Sequence, residues 1–186
     1  METCEQTQGV SVLQHGKSVR EYLDDIIDHL ESNTPLRFEW RLPEWLIENR
    51  DLILASLPDR DTLSLYTTFH DCGKPYCLMI DEEGRRHFPN HAQVSYEVFK
   101  EVFPEQLLVA ELIKRDIDIH LLKSDGVESF AKNPHAITLL LTGLAEIHSN
   151  STMFGGIEST SFKIKWKAIS SRGKQILKII NTYENK

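Results

Sequence analysis

The run Phe69-His70-Asp71-Cys72-Gly73-Lys74-Pro75 sets an imidazole and a carboxylate side by side at what reads as the end of a helix. Two adjacent metal-type ligands followed, after Cys72, by a glycine and a lysine suggest a cation held next to a phosphate. Around the doublet stand His15 on an upstream amphipathic segment, His87 and His91 shortly downstream, and then Asp116, Asp118 and His120. Hydrolysing a phosphate ester at neutral pH needs a nucleophilic water and charge neutralisation on the phosphoryl oxygens. A divalent metal supplies both, by lowering the pKa of water and by acting as a Lewis acid. Imidazoles and carboxylates together suit a divalent transition metal, Mn, Fe, Co, Ni or Zn, with Mg admissible.

The elements that must position these groups read as helices joined by short loops. Between about Ser11 and Glu31, Val12, Val19, Leu23, Ile26, Ile27 and Leu30 recur near a 3.6-residue period. His15 and Val19 then share one face, so His15 points inward. Pro43 suits the first turn of a second helix running to about Leu57, and Asp61 suits the N-cap of a third helix carrying Leu63, Tyr66 and Phe69. Gly73 reads as the stop of that helix. The stretch Asp81 to Arg86 reads as an exposed loop or small hairpin, and Asn90 as the cap of a helix with His91 in its first turn. Pro104 and Asn133-Pro134 open two more helices, the second burying Ile137, Leu140, Leu141, Leu144 and Ile147. The expected architecture is an all-α, single-domain helical bundle. It has an N-terminal tail at 1–10, a helical domain at 11–158 and a basic C-terminal helix at 159–186.

Bulk properties narrow the class. With 186 residues, 40% of them apolar, and charges of both signs, the chain can bury a core and is globular rather than disordered. No stretch approaches the roughly 18 consecutive apolar residues of a membrane span, so a cytoplasmic protein without a membrane partner is expected. Cys4, Cys72 and Cys77 form no C-x-x-C pair and no even framework, which points to reduced thiols rather than a zinc knuckle or disulfide scaffold. The net charge of −7 opposes indiscriminate nucleic-acid binding, yet from Ser159 onward the chain carries +6, leaving −13 upstream. Such a basic segment either holds a polyanion or is a solvated helix face paired with the body's carboxylates.

The order of the chemistry-bearing residues resembles the HD superfamily of metal-dependent phosphohydrolases. Thr67 to Phe99 is most similar to the HD domain of bacterial tRNA nucleotidyltransferases, where a His-Asp-x-Gly-Lys run also leads through a short loop to a histidine cluster. Leu112-Ile113-Lys114-Arg115-Asp116 followed by His120 is similar to that family's Leu-Ile/Val-x-x-His segment, with Asp116 where His is usual. The resemblance spans roughly Leu13 to Asn150 and implies an HD-type bundle. It implies that His15, His70 and Asp71 hold metal, that Asp71 also orients the attacking water, and that Lys74 meets a phosphate oxygen. His91, and with it His87 and His120, would bind a second metal or the substrate phosphate. A late carboxylate closes such shells, and either Glu146, in Leu144-Ala145-Glu146, or Asp116 fills that place. The implied substrate is a phosphomonoester or phosphodiester of a nucleotide or a nucleic-acid end. The alternatives are a nucleotidase or nucleoside-triphosphate hydrolase or, in a different class, a degraded domain serving as a nucleotide sensor or an RNA- or protein-binding module.

Overall fold

A computed structural model describes residues 1–7 and 9–184. In chain order the elements begin with β1 (Glu5–Thr7), β2 (Val10–Ser11), α1 (Val12–Ser32), α2 (Glu44–Glu48), α3 (Arg50–Ala55) and α4 (Arg60–Phe69). Then come α5 (Lys74–Cys77), β3 (Met79–Ile80), β4 (Arg86–His87), α6 (His91–Val102) and α7 (Leu107–Arg115). The chain continues through α8 (Asp118–Leu121), α9 (Val127–Ala131), α10 (Ala136–Ser149) and α11 (Thr160–Glu184). The protein is all-α; among the described residues its strands form two short antiparallel hairpins, β1 with β2 and β3 with β4. Among the described residues no helix is long and apolar enough to cross a membrane.

Two compact units interleave in sequence, Met1–Arg20 with Asp59–Ile117 and Glu21–Pro58 with Asp118–Lys186. Lys186, counted in the basic segment, lies outside the described residues. α1 begins in the first unit and continues into the second.

In the first unit, α1 opens on a reciprocal cap. The Ser11 amide donates to Gln14 Oε1 at 2.8 Å and the Gln14 amide donates to Ser11 Oγ at 3.1 Å, which fixes the helix start one turn ahead of His15. The tail expected at 1–10 contains β1, and β2 follows it as the partner strand. α4 is capped by Asp59, whose Oδ1 accepts from the Thr62 amide at 2.9 Å. The cap therefore lies two residues before the Asp61 expected from sequence, because Asp59 holds the extended conformation from which a side chain reaches the third helical amide. Leu63, Tyr66, Phe99, Val109, Leu112 and Ile113 form the buried core of this unit. α7 starts at Leu107 rather than at Pro104, which sits in the preceding turn.

In the second unit the helix expected from Pro43 to Leu57 is two helices broken at Asn49, whose side-chain amide donates to the Trp45 carbonyl at 2.8 Å. The irregular segment before it is held by one buried carboxylate. Asp25 accepts from the Arg37 and Phe38 amides, from Arg37 Nε and from Trp40 Nε1. Burial alone would raise its pKa, but these donors favour the ionised form and hold it below the usual value. α10 begins at Ala136 and is buried nearly all round from Ala136 to Ala145, so the apolar stripe expected from periodicity is one part of a fully enclosed helix. α11 is the helix expected in the basic segment and buries Phe162, Ile169, Ile176 and Leu177.

Candidate metal centre

Two close backbone approaches assemble the cluster of the first unit. A Cβ built on Gly16 would lie 2.3 Å from the Thr68 carbonyl oxygen, so only glycine lets α1 lie this tightly against the end of α4, one residue from His15. A Cβ on Gly73 would lie 2.3 Å from the Ser95 amide nitrogen. The role of Gly73 is therefore contact with α6 rather than a left-handed helix stop, and its φ is −81°. Its amide donates to Ser95 Oγ at 2.9 Å, tying the turn after the doublet to the helix that carries His91.

Between these approaches the chain leaves α4 in tight turns, with the Cys72 amide bonded to the Phe69 carbonyl and the Lys74 amide to the Asp71 carbonyl. His15, His70 and Asp71 are all at most 3% exposed. Around the Asp71 carboxylate, Oδ2 lies 2.6 Å from Lys74 Nζ, 3.2 Å from His70 Nε2 and 3.6 Å from His15 Nε2, while Oδ1 lies 3.7 Å from His91 Nε2. The His15 and His70 rings meet edge to face at 5.1 Å, with donor nitrogens within 4.8 Å of each other in a group able to hold a metal ion.

Backbone carbonyls orient two of the three rings. His70 Nδ1–H donates to the Thr67 carbonyl at 2.7 Å and His91 Nδ1–H to the Phe88 carbonyl at 3.0 Å. These bonds turn the Nε2 atoms of both rings toward the carboxylate, the tautomer-fixing arrangement also found in imidazoles that bind metals. Burial pushes the Asp71 pKa up, but His70, Lys74 and His15 outweigh it and hold the carboxyl well below the usual range. Asp71 is therefore an anion in the buried cluster.

Lys74 is 7% exposed; its ammonium also donates to Gln6 Oε1 at 2.8 Å and lies 5.3 Å from the Phe88 ring centroid. The lysine expected to meet phosphate thus holds the doublet's carboxylate. Gln6 in β1 and the orienting carbonyls were not expected from sequence. A lone glutamine in a tail carries no signal, and carbonyls are common to all residues.

Of the other sequence candidates, His87 and Asp116 lie in the first unit with partners of their own, and His120 and Glu146 belong to the second. His87 sits on the exposed hairpin with Nε2 at 2.7 Å from Asp81 Oδ2, and this bond brings the Asp81 carboxyl down to about 2. Asp116, at the end of α7, accepts from the buried Tyr66 hydroxyl at 2.5 Å. In the second unit His120 of α8 and Glu146 of α10 face each other at 2.8 Å. Cys72 is a buried thiol pushed up to about 12 by burial and by Asp71, and it donates to the Ser95 carbonyl, so it is no nucleophile.

No protein-family model, curated protein or solved structure matches the chain. Fold and cluster give an all-α protein with a buried group of imidazoles around one carboxylate, two of which, His15 and His70, belong to a set of side chains that could hold a metal ion.

Proposed function

We propose that the protein is an HD-type, metal-dependent phosphohydrolase acting on a phosphomonoester or phosphodiester of a nucleotide or a nucleic-acid end. The observation that carries this reading is the convergence of His15, His70 and His91 Nε2 on the buried Asp71 carboxylate, 3.2–3.7 Å away. The donor set of neutral imidazole nitrogens and one carboxylate fits Mn, Fe, Co, Ni or Zn. Bound there, such an ion supplies Lewis-acid activation of a phosphoryl oxygen and of water.

In this reading His15, His70 and Asp71 hold the ion. The Thr67 carbonyl keeps His70 in the tautomer that binds, and Lys74 keeps Asp71 ionised and in place. His91 is 23% exposed on its side chain and stands at the start of α6, where a phosphate oxygen or a second ion can reach it. Glu146 and Asp116 remain the two carboxylates that the resemblance nominates to close the shell. Metal content of Glu146→Gln and Asp116→Asn decides between them.

Purified protein is expected to release phosphate from model nucleotide esters with added Mn, Co or Ni and to stop with a chelator. His70→Ala or Asp71→Ala should remove that activity from folded protein. Unchanged turnover in either variant would falsify the reading. A folded protein that takes up no metal and turns nothing over would favour the sensor or binding-module alternative.

A further inference from the structure

We infer that the groove between α2 and α11 in the second unit binds a single strand of nucleic acid by its phosphate backbone. Two adjoining open cavities of about 700 and 600 Å³ make up this groove and share Trp45, Glu48 and Lys174 in their walls. Each is within the ~300–1,000 Å³ that accommodates a small ligand. Joined end to end along a helix, they suit a chain better than a compact molecule.

The charge of the groove selects the ligand. Lys167, Lys174 and Lys178 follow one another at spacings of seven and four residues, so they line one face of α11, and all three are exposed. Among the described residues they form no ion pair. The other cations of α11 are engaged: Lys163 with Glu158 at 2.7 Å, Lys165 over the Phe154 ring, and Arg172 with the Leu122 carbonyl at 3.2 Å. The basic segment is therefore not one uniform solvated face. Arg41 adds a guanidinium to the groove. It lies over the Trp166 ring at 5.0 Å and also meets Glu158 at 3.4 Å.

Against four cations the lining sets two carboxylates, Glu44 and Glu48. Asn181 and Thr182 close one end of the groove, their side chains donating to Asn49 Oδ1 and to the Lys178 carbonyl at 2.8 Å each. Trp45 is fixed beneath, its Nε1–H donating to the Ser170 carbonyl at 2.9 Å. A cationic track beside a guanidinium laid over the Trp166 ring is the chemistry that holds single strands without reading their sequence. This site is distinct from the cluster around Asp71, and its test reads binding without turnover, so it stands or falls apart from the phosphohydrolase reading.

Fluorescence anisotropy of a labelled mixed-sequence single-stranded 12-mer, titrated with the full chain between 50 and 300 mM KCl, tests the inference. Affinity should fall linearly with salt on logarithmic axes, with a slope of about −0.7 for each phosphate neutralised. Changing Lys167, Lys174 and Lys178 together to Gln should weaken binding at least tenfold and flatten the slope by about two. The equally exposed control triple Lys100→Gln, Lys114→Gln, Lys123→Gln should stay within twofold of wild type. Circular dichroism confirms that both triples are folded. His70→Ala should bind as wild type. The inference is overturned by no binding at 50 mM KCl, by equal losses in the two triples, or by a polyglutamate of matching charge competing as well as unlabelled strand.

Discussion

His70 and His148 are both buried, and each donates its Nδ1–H to a backbone carbonyl one turn earlier at 2.7 Å. They part at Nε2. His148 accepts the Arg41 amide there at 3.1 Å and lies against the Trp40 and Phe162 rings, so both nitrogens of a neutral ring are satisfied. His70 Nε2 faces the Asp71 carboxylate at 3.2 Å, with the His15 and His91 rings turned to the same group. Burial and a fixed tautomer are thus shared by a packing histidine and a candidate ligand. What separates them is the partner of the second nitrogen, an N–H in one case and an anion in the other.

Exchanging the two histidines tests that distinction most severely. His70→Ala should lower turnover on the order of 10³-fold, beyond the 10–100-fold typical of removing a group behind the ligands. His148→Leu should leave turnover of the folded protein within a few-fold while costing about 1–3 kcal/mol of stability at pH 7, because the Arg41 amide loses its acceptor. Steady-state kinetics with urea unfolding on both variants reads the two outcomes. A collapse of turnover in folded His148→Leu would erase the contrast.

Acidity sharpens it next. Burial lowers the His148 pKa from 6.5 to about 4, the Nδ1–H bond to the Leu144 carbonyl opposing this only in part. The unfolded chain therefore takes up this proton at a higher pH than the folded one does. The stabilisation is complete above about pH 6.5, declines as pH falls and is gone below about 4, a change of about 3 kcal/mol. In His148→Leu this part of the pH dependence should vanish from unfolding curves.

Smaller effects are expected from the groups that frame the cluster. Gly16→Ala should cost about 1–3 kcal/mol, because its Cβ meets backbone rather than a movable side chain, and it should depress metal uptake with stability. Wild-type stability and loading in this variant would mean that the approach of α1 to α4 is not needed. Cys72→Ala should change turnover by less than twofold, since a thiol held near 12 supplies no thiolate at neutral pH.

The sequence was most readable where periodicity and type agreed. The 3.6-residue pattern of α1 placed His15 inward, and the doublet with His91 lay where turn residues and a helix start put them. The hairpin at Asp81 to Arg86 and the helix in the basic segment were likewise legible from turn chemistry and apolar spacing. Less legible were features decided by partners distant in the chain. Gly73 has the composition of a helix stop, yet its reason is Ser95; Lys74 has the spacing of a phosphate contact, yet its ammonium reaches back to Asp71 and Gln6. Asp61 has the composition of a cap, yet the extended backbone before Arg60 gives that task to Asp59. His87 and His91 looked alike four residues apart until Asp81 engaged one and Asp71 the other.

The most direct measurement is elemental analysis of protein purified without chelator, wild type beside His70→Ala and His148→Leu. The account predicts about one or two divalent transition-metal ions per wild-type chain, retained in His148→Leu and lost in folded His70→Ala. Wild-type protein without metal, even after reconstitution with Mn, Co or Ni, would contradict it.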